Sequence, residues 1–229
     1  MANYINKSLL LFIPMMLMKL SVVVAQHPEE TIKVNGISVA QSELEREIQR
    51  SRASVIGGIV KKHNIIDMTG FWERTYEGQK PTDILRQKAL DTLVYFKVQE
   101  QLLNERNLWR YKNYAELLKD LETINKARTK AKQEGTVIYG PVNYTEQSFF
   151  DYQFSNAVIR LKEELVKEKV LQADEDKLKM QFEKMQKTVY KKDEKMESFR
   201  KQIHAAYVEE AYADFISNLA RQAKLEQNK

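Results

Sequence analysis

After Pro141, neither glycine nor proline occurs again through Lys229. These are the residues that punctuate secondary structure. A stretch this long without either, rich in Lys, Glu, Gln, Leu and Ala, is directed to helix by propensity alone. The 229-residue chain is 43% hydrophobic and 30% charged, enough apolar material for a core under a dense charged surface, which argues against wholesale disorder. The expected fold class is therefore all-α. No apolar stripe keeps a strict seven-residue repeat over several heptads, so a bundle of long helices, with room for a protruding arm, fits better than a rod-like coiled coil.

Breakers and caps before and within that stretch divide the chain. Ile32 to Val39 alternates around Asn35-Gly36, the signature of a short extended segment or hairpin. Ser42 with Glu45 three positions on predicts a capping box opening the first helix, and Gly57-Gly58 predicts a bend or an early end in it. A loop through Gly70, Phe71, Trp72, Tyr76, Gly78 and Pro81 leads to Thr82, the predicted cap of a long helix ending near Asn107. Asn113, Thr145 and Asp174 are predicted caps of three further helices, with Gly135 stopping the first of them. The last helix is expected from about Asp193 through Leu219.

Residues Met1 to Ala25 differ from everything after them. Lys7 lies near the start, an apolar run extends from Leu9 to Val24, and Val23-Val24-Ala25 fits a signal-peptidase site with cleavage before Gln26. This reads as a signal peptide over residues 1–25, followed by a helical domain over 26–229, and places the mature chain outside the cytoplasm. The competing reading is an uncleaved anchor, which would associate the chain with a membrane. Against it, the 16-residue run is short for a bilayer span and is interrupted by Pro14 and Lys19.

Charge and motifs narrow the function. The formal charge is +5, but Lys7 and Lys19 belong to the leader, leaving 35 basic against 32 acidic residues. Lys and Glu are interspersed, as on solvated helix faces, and no nucleic-acid-binding patch stands out. With no cysteine, disulfides, thiol catalysis and thiolate metal sites are excluded. His27, His63 and His204 are scattered, no HExxH or G-x-S-x-G occurs, and no glycine-rich phosphate loop is present. No catalytic residue, metal site or cofactor is expected. Asp174-Glu175-Asp176 lacks the oxygen spacing and central glycine of a calcium loop and reads as acids at a helix N-terminus.

The aromatics are denser than a core requires locally. Tyr139, Tyr144, Phe149, Phe150, Tyr152 and Phe154 cluster around Gly140-Pro141, and Phe71, Trp72 and Tyr76 form a second group. Helical spacing buries only one side of the first cluster. Core packing is the ordinary role of each ring; rings left exposed would bind apolar segments of other chains. Phe71, Trp72, Tyr144, Phe149, Phe150 and Phe154 are the candidate client-binding residues on this reading.

Several short motifs, taken in order, resemble the helical chaperone domain of the SurA and PrsA families of exported folding factors. Val34-Asn35-Gly36 followed by Val39-Ala40 and Glu43-Leu44 is similar to their entry segment, although Ala40 replaces a hydroxyl residue there. Ala89, Leu90, Leu93, Val94, Lys97 and Val98, then Gln101 to Leu108, resemble the apolar helix that follows. Ala173 to Leu178 through Phe182-Glu183 looks like the acid-capped helix before the isomerase module, and Tyr212 to Leu225 like the closing helix. Relatives with prolyl isomerase activity carry a parvulin module between those last two elements; here only Gln186 to Asp193 intervenes. The resemblance implies the chaperone part alone: an exported protein binding unfolded or nascent polypeptides without catalysis. A dedicated helical adaptor at the cell envelope and a prolyl isomerase are the alternatives.

Overall fold

The computed structural model describes residues 31–187, 189 and 195–228. The leader, its cleavage site and the expected helix start at Asp193 lie outside the described residues. Among those described, six α-helices and a small antiparallel sheet make up the fold. Strands β1 (Thr31–Val34) and β2 (Ile37–Val39) form the expected hairpin. Its turn needs two consecutive left-handed residues, and Asn35 (φ 51°) and Gly36 (φ 79°) supply them at little steric cost. The third strand, β3 (Leu225–Asn228), pairs with β1 on the other side, giving the order β2-β1-β3. This corrects the expectation of helix through Leu225. Pairing with β1 overrides local propensity, and Asn35 secures the junction: its N–H donates to the Lys224 carbonyl, while its Oδ1 accepts from Lys224 N–H.

Helix α1 (Gln41–His63) starts one residue before the predicted cap. Ala40 occupies the cap position, and Glu43 rather than Glu45 reaches back, its Oε2 accepting from Ala40 N–H at 2.9 Å. The helix continues through Gly57-Gly58 because Ser51, Val55 and Ile59 on its buried face hold it in place. It ends at Asn64 in the left-handed region. Helix α2 (Pro81–Glu105) begins with Pro81 in its first turn after Lys80, not at Thr82, since a missing N–H and a fixed φ suit that position. The two helices pack antiparallel, Leu44 against Leu90 and Leu93 near one end and Ile59 near Leu85 at the other.

The three predicted caps stand. Asn113 accepts from Glu116 N–H at the start of α3 (Tyr114–Gln133), Thr145 from Ser148 N–H at α4 (Glu146–Lys167), and Asp174 from Lys177 N–H at α5 (Glu175–Gln186). A 3-10 turn (Met196–Phe199) leads into α6 (Arg200–Gln222). The main core gathers the inner face of α4 (Phe149, Phe150, Phe154, Ala157, Leu161, Leu165) against Leu103 of α2, Leu117 of α3 and Tyr212 and Ile216 of α6. Helix α3 leaves this core as an arm. Its fully buried residues, Tyr114 and Leu117, lie in the first turns, and Ile124 is the last apolar side chain packed on the core.

Candidate functional site

Of the six aromatics nominated from sequence, the structure buries four. Phe71, Phe149, Phe150 and Phe154 are no more than 6% exposed. Phe150 and Phe154 stack at 5.1 Å, with Phe96 edge-on to both. These rings are core and present nothing to a partner in the folded state. Phe71 and Trp72 pack with Val55, Ile59 and Leu85 in a separate cluster, so the structure does not unite the two aromatic groups. Trp72 is half-buried beneath the Arg52 guanidinium, 4.5 Å from its ring centroid. Tyr144 is half-buried and stacks on Tyr152 at 6.1 Å. Among the described residues the exposed rings are tyrosines instead: Tyr139 at 87% and Tyr152 at 56%.

Tyr152 opens a strip along α4. Ile159, 55% exposed, follows seven residues on, and Val166 seven after that, placing the three on one helix face. The strip is about 21 Å long at a 1.5 Å rise per residue. At its lower end Ile159 and Val166 face Ala205 and Val208 of α6 across an open groove of about 450 Å³. Charges rim the groove without filling it. Lys162 pairs with Glu209 and lies 5.0 Å over the Tyr212 ring, while Glu163, Lys167 and His204 complete the border. Tyr144, stacked on Tyr152, extends the apolar line toward the α3 arm.

A second arrangement is chemically conspicuous but closed. Between α1 and α2, Lys97 Nζ lies 2.8 Å from both Glu43 and Glu100 carboxylates, with Lys97 and Glu43 side chains 4% exposed. Burial alone depresses the Lys97 ammonium; Glu100 and then Glu43 outweigh it and hold its pKa above the usual lysine range. One turn along α1, the fully buried Glu47 accepts from Arg46 Nε at 2.7 Å through Oε1, while its Oε2 makes no hydrogen bond and only an ion pair with Arg50 Nε at 3.1 Å; Arg50 continues to Asp151 on α4. Arg46 also donates to the Tyr114 hydroxyl, which donates to Glu146 at 2.6 Å. The Arg46 guanidinium sits 3.6 Å over the Phe150 ring, a contact that accounts for Nη2 lacking a hydrogen bond. Glu43, Glu47, Glu100 and Asp151 each face a cation, and Glu146 is reached by the Tyr114 hydroxyl. The chemistry of this network is that of a clamp joining α1, α2, α3 and α4.

The remaining sequence candidates resolve locally. The His63 ring lies tilted against Tyr76, centroids 5.3 Å apart, whereas Asp67 accepts from Thr69 N–H and pairs with Arg74. Asp174 caps α5 and Glu175 pairs with Arg200. Among the described residues no group of three His, Asp or Glu side chains converges as a metal site, and no helix is long and apolar enough to cross a membrane. Sequence reasoning missed the strip itself, although its signal, apolar residues at 152, 159 and 166, is a seven-residue spacing within one helix. No family model, curated protein or solved structure matches the chain.

Proposed function

We propose that this protein is an exported, chaperone-like binder of unfolded or nascent polypeptides, acting outside the cytoplasm without catalysis. The observation that carries the reading is the strip Tyr144, Tyr152, Ile159, Val166, completed by Ala205 and Val208. Tyr152, Ile159 and Ala205 are exposed, Tyr144 and Val166 half-buried and Val208 the buried floor; such an apolar line, bordered by charge, suits an apolar partner segment. At ~3.3 Å per residue, about six residues of extended chain cover it. The groove is open and lacks deep pockets for particular side chains, which favours weak, sequence-tolerant capture. Its charged rim opposes self-association of the same surface. The leader-like Met1–Ala25 and the resemblance to SurA and PrsA helical domains support the same reading.

The test dilutes several unrelated, chemically denatured clients into the protein and follows light scattering beside a prolyl isomerisation assay. Suppressed aggregation that is lost in the double substitution Tyr152→Ser/Ile159→Ser, with no isomerisation, is the expected result. No effect on any client sinks the proposal and favours a dedicated adaptor. Accelerated isomerisation sinks its non-catalytic part.

A further inference from the structure

The α3 arm ends in a loop that is held in place yet turns apolar side chains outward. Arg128 Nε donates to the Pro141 carbonyl at 2.8 Å and its Nη2 to the Tyr139 carbonyl at 2.6 Å. Asn125 exchanges two hydrogen bonds with the Tyr144 backbone, and Thr129 bonds Asn143. Fixing a loop costs conformational entropy, which an isolated soluble loop recovers by turning its apolar side chains inward. Here Val137 is 75% and Tyr139 87% exposed. From Lys126 to Pro141 four cations (Lys126, Arg128, Lys130, Lys132) face one carboxylate, Glu134. Lys126 also reaches Glu122 and Lys130 reaches Glu134, but at 3.4 and 3.7 Å between largely solvated side chains, pairs too weak to cancel the field. The helix ends at Gln133, about 14 Å beyond Ile124, its last core contact, and the loop folds back along it so that Tyr139 lies beside Arg128.

We propose that the arm tip docks on an anionic membrane surface, with Val137 and Tyr139 entering the interface and the lysines facing the lipid headgroups. A projecting tip offers no concavity in which a peptide could bury both its sides, whereas a planar bilayer needs none. An aromatic ring with a polar end and a nearby aliphatic side chain, on an arm whose last turns carry Lys126, Lys130 and Lys132, match the chemistry of the interfacial region. The tip adjoins the upper end of the strip at Tyr144, which lies under Arg128, but the inference rests on Val137, Tyr139 and the lysines and stands without the polypeptide-binding proposal.

The chain has no cysteine, so Val137→Cys in the full-length protein provides a unique site for a polarity-sensitive fluorophore. Thr82→Cys, exposed at the start of α2, is the control. Because the readout is local, membrane contact by the leader does not confuse it. The expected result is a blue shift at position 137, absent at 82, with mixed phosphatidylglycerol and phosphatidylcholine vesicles but not with phosphatidylcholine alone. It should weaken in high salt, and by about fivefold for each of Lys130→Gln and Lys132→Gln. An equal shift on both vesicle types, a shift at both positions, or none at 137 overturns the proposal. A shift with polyglutamate but not with anionic vesicles overturns it in favour of an acidic protein partner.

Discussion

Between α1 and α2 this protein places charge in its interior; along the outer edge of α4 it places apolar side chains in water. Glu43, Glu47 and Lys97 are no more than 3% exposed, whereas Tyr152 and Ile159 exceed 50%. Each region departs from the usual partition of residues, but the energetic consequences differ. A buried ion must be matched at its site, because removing one partner leaves the other without water or a counter-charge. An exposed apolar side chain contributes little to folding, so its presence calls for an explanation outside the fold. The clamp is therefore expected to be indispensable to stability and silent in binding, and the strip the reverse.

The largest effect tests the clamp. Lys97→Ala strands Glu43 in the core and should cost about 3–5 kcal/mol in urea unfolding. Replacing Lys97 and Glu43 together with leucine should recover most of that loss, because no uncompensated charge then remains between them. A cost below ~1 kcal/mol for Lys97→Ala would mean that water already reaches the site, and the contrast with α4 would fail.

Alkali probes the same interior more gently. Burial raises the pKa of Tyr111, Tyr114 and Tyr212, and the carboxylates around Lys97 raise that of its ammonium. All four hold their protons more tightly folded than unfolded. Their contribution is complete below the ordinary tyrosine value of about 10 and is lost as pH rises through the folded values. The urea midpoint should stay level from neutral pH to about 9 and then fall. Tyr212→Phe should flatten part of that fall while losing the 2.7 Å bond its hydroxyl donates to Gln99. Smaller again is Asn113→Ala at the start of α3, which should cost about 1 kcal/mol. The loss should appear in the arm's amide exchange before it appears in global unfolding.

Much of the fold could be read from single residues acting on their own backbone. Asn35-Gly36 states its turn because few other residues accept two left-handed positions, and Asn113, Thr145 and Asp174 bond N–H groups three positions away. What could not be read depends on distant partners. Leu225-Glu226-Gln227-Asn228 has no strand signature and becomes one only beside β1. Gly57-Gly58 stays helical because α2 covers the neighbouring residues. Glu43, Glu47 and Lys97 resemble any solvated helix face until the cation or carboxylate opposite is known. The site failed to show for the same reason: aromatic density marks a place where rings meet, but not which of them the neighbouring helices cover. Phenylalanines fill the interior of α4, and tyrosines, whose hydroxyls tolerate water, stand at its edge.

The strip provides the smallest stability effect and the sharpest contrast. Tyr152→Ser removes a stack on Tyr144, and Ile159→Ser removes one wall of the α4–α6 groove, but both side chains are more than half solvated. Each should cost less than about 1 kcal/mol of unfolding free energy and leave the helical circular dichroism unchanged. Phe149→Ser and Phe150→Ser, a few residues away on the same helix, should instead destabilise by several-fold more, because their rings are enclosed by the core. If client capture falls with the first pair while stability holds, the exposed edge of α4 is the binding surface. If capture follows stability across all four variants, binding requires an opened core, and the distinction between the two faces of α4 has no functional meaning.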